Sequence, residues 1–484
     1  MAVPEEIRKV PRPKNTVVEC TGRPGRNMYP VRERGTVKYV KGGNPQPHNG
    51  KVVGHIIGGR FVPVTPKVNA AATMLSYGTA ALIRSLSRDI EEDLLKVYPV
   101  NVTQTIMAMA SLKVERPDIK ARRYASAFER SFVSVYHRGA AMSESSVSGL
   151  LKALGMDEGK RRAFYAERVS RLAESSRIVI DGTLKTDSST VNDLSHFSYK
   201  GKSKGTRDIS VIYAYDLETR EPLCCEVFPG NHVDSSAYAN FVTHNAIRRG
   251  VIIDDKGFPV QKIESILAEN PQLHYLTPIK RNDQRIRNNG MLEFDGVVRG
   301  ISANVLSKKK RLRGGKYLYA FKDVYKASLE HATAIERAKA SGGGISKYNG
   351  KAATFGVVVY ESDLDISCEE AYAYYKDRWE LELLFKAYKS ELSLRTTNVQ
   401  GDFSVFASEF VNFIATLITG RVIRAFEKNG LLKKDTYGEV IDDLNSAWRV
   451  VTDDEDEIPN RDDSNWIHVN VRVMDMMEKL GLCR

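Results

Sequence analysis

The chain has 484 residues, 42% of them hydrophobic and 27% charged, which is ordinary for a globular protein and too long for one compact core. Its net charge of +12 points to a polyanionic partner. No apolar run of membrane-spanning length and no secretory leader is evident, and five cysteines without CxxC spacing argue against a disulfide framework or a zinc site, so a reducing cytoplasm is expected.

Residues 1–34 are rich in Pro, Gly and Arg and read as irregular; 12 Lys or Arg stand against 4 Asp or Glu in residues 1–60. This basic arm of 1–66 is either a solvated terminus or a phosphate-tracking segment. Short strands are expected at 35–41 and 51–64, around the GGNPQPHNG turn. Residues 67–175 turn helical. SESSVSGLLKALG (143–155) has a Ser start, an apolar stripe and a Gly stop, and a second helix follows. The pair could be a DNA-reading helix-turn-helix or simply two packed helices.

Strand signals then dominate. RIVIDGT (177–183), ISVIYAYD (209–216) and LCCEVFPG (223–230) suggest an antiparallel meander. A helix at 235–249, the strand GVIIDD (250–255), a helix near 260–269 and the strand LHYLTPI (273–279) follow. This order predicts an α/β, RNase H-like core, its first part at 176–279. Residues 280–351 read as a β-rich insertion containing SKKKRLRGGKYLYAFKDVY (307–325). The core would resume over 352–400 with AATFGVVVY and a charged helix, and 401–484 reads as helical. Within it, SEFVNFIATLITGRVI (408–423) could pack on the core or serve dimerisation.

The helix at 375–389, YKDRWELELLFKAYK, carries Tyr375, Arg378, Glu382 and Lys389. At 100° per residue these fall at roughly 0°, −60°, −20° and −40°, one narrow line along the helix. Leu381, Leu384, Tyr388 and Tyr374 would form the opposite, core-facing stripe. A solvated charged face explains such a line equally well in isolation. Asp181 and Asp255, at the ends of two apolar strands, could likewise be turn residues. An RNase H-like sheet, however, would bring both beside Glu382. Three carboxylates then form a hard oxygen cluster suited to two Mg²⁺ ions, with Mn²⁺ as substitute, for displacement at phosphorus.

Asp181-Gly182-Thr183, Asp255-Lys256-Gly257-Phe258 and the Tyr-x2-Arg-x3-Glu-x6-Lys pattern resemble the DDE transposases of bacterial insertion sequences, in the cut-and-paste branch named for that last signature. PGNHVDS (229–235) is similar to the loop before the second aspartate in that branch. The resemblance spans about 175–425. It implies that Asp181, Asp255 and Glu382 hold the metal ions and that Tyr375, Arg378 and Lys389 grip phosphates at the transposon end. Transposon-end and target DNA would be the partners, in a synaptic homodimer in the bacterial cytoplasm. Of the adjacent Asp254 and Asp255, the Asp-x-Gly-Phe spacing selects Asp255. The run Lys308, Lys309, Lys310, Arg311 and Arg313 is a further phosphate candidate, whereas Tyr317, Tyr319 and Phe321 could stack on a flipped base or face the core. A nuclease that cuts without joining, and an inactivated DNA-binding relic, are the competing functions.

Overall fold

The structure is a computed structural model that describes residues 3–20, 28–38, 46–63, 73–187, 189–231, 234–253, 260–300, 304–340, 346–451 and 466–482. Two units separate near Thr73. In the N-terminal unit a short helix α1 (Glu5–Arg8) precedes a four-stranded antiparallel sheet, β1 (Thr16–Val18), β2 (Met28–Lys38), β3 (Gln46–Ile57) and β4 (Arg60–Pro63), in that order. The expectation of irregular chain over 1–34 is thereby corrected. Tyr29 and Val31 alternate onto one face, and Val31 and Ile56 are buried with Val10 under Ile7, Val18 and Phe61. Gly58 and Gly59, both at positive φ (57° and 75°), make the two-residue loop between Ile57 and Arg60, whose twist matches the strands.

The larger unit begins with β5 (Thr73–Ser76) and a helical layer: α2 (Gly78–Leu86), α3 (Arg88–Leu95), α4 (Val100–Glu115), α5 (Tyr124–Phe128), α6 (Val133–Tyr136), α7 (Glu144–Met156) and α8 (Glu158–Val169). Ser143 caps α7 by accepting from the Ser146 N–H, and Asp157 caps α8 through the Lys160 N–H. Gly155, expected as a stop, lies inside α7. A Cβ there would sit 1.7 Å from the Phe403 carbonyl oxygen, so its function is close approach.

The main sheet has nine strands. After β6 (Arg177–Thr186) come α9 (Tyr199–Lys204), β7 (Asp208–Asp216), β8 (Glu221–Pro229), α10 (Asp234–His244), β9 (Arg249–Ile253), α11 (Val260–Glu269) and β10 (Gln272–Pro278). Then follow α12 (Gln284–Asn288), β11 (Gly296–Val297), β12 (Val305–Arg311), β13 (Tyr317–Asp323), α13 (Val324–Ala340), α14 (Ser346–Ala352) and β14 (Val357–Ser362). The spatial order is β11-β12-β13-β14-β10-β9-β6-β7-β8. Strands β6, β7 and β8 form an antiparallel meander, while β9 runs parallel to β6 and β10 parallel to β9.

Residues 280–351, expected as a β-rich insertion, hold β11, β12 and β13. They carry three helices, and β12 and β13 continue the main sheet through β14. The cause is visible along β13: Tyr317, Tyr319 and Phe321 are buried on one face and Leu318 and Ala320 on the other, so the strand is interior on both sides.

Beyond the sheet stand α15 (Cys368–Asp377), α16 (Trp379–Lys386) and α17 (Asp402–Lys428), followed by α18 (Tyr437–Asn445), β15 (Trp448–Val451), β16 (Trp466–His468) and α19 (Val471–Lys479). Strands β16, β15 and β5 make a small sheet, so the C-terminal region is not wholly helical. Helix α17 is long and apolar enough to cross a membrane, but 72% of its apolar window is buried within the protein. It packs on α7, α4, α2 and β8, and its Phe410 and Phe413 rings meet Phe164 and Tyr165 edge to face. Buried residues run along it from Val405 to Phe426, so both halves of the 408–423 segment contribute to the core.

Candidate active site

Asp181 lies mid-way along β6, directly opposite Tyr213 of β7. Opposed residues of an antiparallel pair share a sheet face. The Tyr213 ring meets Phe385 of α16 at 6.0 Å and Tyr388 at 5.8 Å, so Asp181 stands on the face that α16 covers. Helix α16 packs directly on β6. The Asp181 side chain is half-buried, and its Oδ1 accepts from the Gly182 N–H at 2.7 Å.

The helix pair opposite is built for position. Ser367 opens α15 with a reciprocal capping box to Glu370. The chain stays helical through Arg378 (φ −53°, ψ −27°) into α16. Two ion pairs tether this bend to the sheet. Arg177 at the start of β6 pairs with Asp377 and with Glu218, its guanidinium 5.2 Å from the Tyr374 ring centre. Arg220, in the β7–β8 turn, forks onto Glu380 at 2.6 and 3.1 Å. Leu384 and Tyr388 are buried, as their core-facing assignment requires. Tyr374 instead stays half-buried over Arg177, and the Leu381 side chain lies outside the described residues.

On the other flank Glu382 is exposed and Arg378 half-buried. Tyr375 is half-buried, its ring 5.3 Å from Tyr360 and 6.3 Å from Tyr372 in an aromatic layer against β13 and β14. After Lys386 the helix widens into a π-helical turn over Ala387–Glu391, with the Leu392 N–H donating to the Ala387 carbonyl at 3.0 Å. Such turns break a constant 100° advance, so Lys389, half-buried, leaves the strict line drawn from Tyr375.

Asp255 and its neighbour Asp254 lie outside the described residues, as do residues 232–233 of the PGNHVDS segment. Among the described residues no three His, Cys, Asp or Glu side chains cluster as metal ligands. The candidate set there is the pair Asp181 and Glu382, on abutting elements.

The basic run does not form one patch. Strand alternation sets Lys309 and Arg311 beside Tyr319 and Tyr317, and Lys308 and Lys310 beside Ala320 and Leu318 on the opposite face. Lys308 donates to the Glu293 carbonyl at 2.7 Å; Lys309 pairs with Asp365 and lies 5.3 Å from the Tyr317 ring centre. Lys310, Arg311 and Arg313 are exposed. Tyr317, Tyr319 and Phe321 are all buried, and the Tyr319 hydroxyl donates to the Leu364 carbonyl, which fits the core alternative rather than base stacking. Helices α7 and α8 also spend a face on packing, against α17 and β8 respectively.

One group escaped the sequence reading. Lys185 of β6 donates to Glu409 of α17 at 2.6 Å, and both are at most 2% exposed. Tyr388 and Asn412 donate to the same carboxylate at 2.5 and 2.9 Å. Burial pushes the Lys185 ammonium down and the Tyr388 phenol well up from their ordinary values; Glu409 offsets the first and adds to the second. The available signal was a lysine inside a strand and a glutamate inside the apolar run SEFVNFIATL.

The family model described as the transposase DDE domain matches residues 173–418, half of the chain. This match runs from just before β6 into α17 and takes in both described carboxylates. The chain belongs to the transposase DDE-domain family. No curated protein matches it. Among solved structures, the cryo-EM structure of a piggyBac transposase synaptic complex with hairpin DNA is similar at a TM-score of 0.41 and 12% identity, over 77% of this chain and 80% of that one.

Proposed function

We propose that this transposase is of the cut-and-paste insertion-sequence type, with Asp181, Asp255 and Glu382 as the ligands of two divalent ions on an RNase H-like core. The observation that carries this is the placing of Asp181 and Glu382 on abutting elements, with Asp181 on the face that the Glu382-bearing helix covers. The strand order β8-β7-β6-β9-β10 supports the RNase H-like assignment, and the pairing of β6 with β9 supports the third ligand. Val179 is level with Ile253, and Asp255 follows Ile253 by two residues as Asp181 follows Val179. Of the adjacent Asp254 and Asp255, the Asp-x-Gly-Phe spacing selects Asp255.

The donor set fits Mg²⁺ or Mn²⁺, being carboxylate oxygen with no sulfur or imidazole. When bound, such ions activate an attacking oxygen and stabilise the leaving one. The chain's own residues supply the rest. Arg378 offers a planar fork to a phosphate and Lys389 a point charge, while Glu382 between them faces the scissile position. In the first reaction water attacks the phosphodiester at each element end, and the P–O3′ bond breaks to leave a 3′-hydroxyl. That hydroxyl then attacks a target phosphodiester and displaces its 3′-oxygen. Neither step uses a protein nucleophile. Element ends and target DNA are the substrates, brought together in a synaptic dimer.

The test uses a plasmid carrying this gene with its native flanks, purified protein and Mg²⁺, beside Glu382→Ala. Excision plus joining, lost in the variant, is the expected result. Cleavage without joining would favour a hydrolytic nuclease, and a bound but uncut plasmid an inactive DNA-binding protein.

A further inference from the structure

The buried carboxylate of Glu409 touches both elements that present the candidate ligands. Asp181, Thr183 and Lys185 alternate onto one face of β6, so Lys185 stands on the same face as Asp181, four residues further along. Tyr388 stands six residues beyond Glu382, in the π-helical turn that ends its helix. Glu409 Oε1 accepts from Lys185 Nζ at 2.6 Å and from Asn412 Nδ2 at 2.9 Å, and Oε2 accepts from the Tyr388 hydroxyl at 2.5 Å. None of these four residues is more than 2% exposed. The Lys185 ammonium also lies 5.6 Å from the Tyr388 ring centre.

An ion pair this deep is a weak source of net stability, because desolvation offsets the attraction and well-packed apolar residues often do as well. What the arrangement does supply is geometry. Charge-assisted hydrogen bonds from two elements to one carboxylate fix where those elements sit relative to each other. Mg²⁺ demands near-ideal octahedral ligation, and a misplacement of about 1 Å can cost roughly 10²-fold in rate. The widened turn has a matching role: it carries Tyr388 to Glu409 while Glu382 remains at the surface.

From this geometry we infer that Glu409 is the positioning residue of the site, holding the strand that bears Asp181 and the helix that bears Glu382 at the spacing a divalent ion needs. The inference rests on the metal-ligand assignment of Asp181 and Glu382 proposed above.

Mn²⁺ binding to the full-length chain, followed by the loss of the free-ion electron paramagnetic resonance signal, tests it alongside thermal melting. Removing one partner of a buried pair can unfold the protein, so two gentler variants are used. Lys185→Met with Glu409→Leu replaces the pair by apolar groups, and Tyr388→Phe removes one hydroxyl. The expected result is Mn²⁺ affinity weakened at least tenfold in the double variant, whose melting temperature falls because the buried Tyr388 hydroxyl and Asn412 amide lose their acceptor, and about threefold in Tyr388→Phe, a loss of roughly 0.7 kcal/mol of binding, at a melting temperature close to that of the parent. If the double variant does not fold, Tyr388→Phe decides alone. Asp181→Asn is the control. Affinity lost in Asp181→Asn but unchanged in the folded positioning variants would overturn the role of Glu409 alone. Affinity unchanged in Asp181→Asn as well would overturn the metal site and this inference with it.

Discussion

Two helix pairs in this molecule look alike in sequence and are held in different ways. Helices α7 and α8 are capped by Ser143 and Asp157 and fixed through apolar faces, with Val147, Leu151 and Leu154 of the first and Phe164, Tyr165 and Val169 of the second buried. Helices α15 and α16 bury less, and their bend is pinned by ion pairs from Asp377 to Arg177 and Glu380 to Arg220. Packing by an apolar stripe spends that face of a helix. Anchoring at the bend sets the helix in place while Glu382 stays exposed on its outer flank. The second construction is what a site that must meet a phosphodiester requires.

The largest effect that should separate the pairs is chemical. Glu382→Ala is expected to lower DNA cleavage by roughly 10³-fold or more, the several kcal/mol that metal-assisted charge stabilisation supplies. Because Glu382 is exposed, its melting temperature should stay near that of the parent. Gly155→Ala should do the reverse. Its Cβ would collide with the Phe403 backbone, so stability should fall by about 1–3 kcal/mol in urea unfolding, while activity per folded molecule is retained.

A step smaller, Arg378→Gln should weaken binding of an element-end duplex by about 1.5–3 kcal/mol, the range for a hydrogen bond to a charged group, as read by duplex titration. In the helical layer a pH effect is expected instead. His137 is 3% exposed, and burial, aided by Arg84, lowers its pKa to about 3. Between pH 6.5 and 3 the unfolded chain then binds a proton that the folded chain does not. His137 therefore costs stability as pH falls through that window, by up to about 1.4 kcal/mol per pH unit, and has no effect above it. Urea midpoints at pH 7.5 and 5 should converge in His137→Gln. Smallest is Arg220→Ala: an exposed fork is worth about 0.2–1 kcal/mol, so the melt should barely move. A large loss of stability there would mean that the bend is held by more than its ion pairs.

Much of this was legible in the sequence because apolar alternation is local. The strands around Asp181, Tyr213 and Cys225 follow from spacing alone. In the N-terminal sheet the strands expected at 35–41 and 51–64 overlap β2, β3 and β4, whereas the part before residue 35 was read as irregular, since Pro, Gly and Arg surround the few residues, Val31 among them, that form its core. Strand β13 was recognised but its place in the main sheet was not, because its pairing with β14 spans the intervening α13 and α14. The Lys185–Glu409 pair joins residues 224 positions apart, and composition places charges at the surface by default. The phase slip at Lys389 needs a π-helical turn, which no regular period foretells.

The most direct test of the three-carboxylate site is iron-mediated cleavage of the polypeptide itself. Fe²⁺ would replace Mg²⁺ in the full-length chain, ascorbate and peroxide would generate radicals at the bound ion, and the cut positions would be mapped by mass spectrometry. Cuts near residues 181, 255 and 382, all suppressed by excess Mg²⁺, are the predicted result. Cuts that omit any of the three, or that persist in Asp181→Asn, would contradict the site.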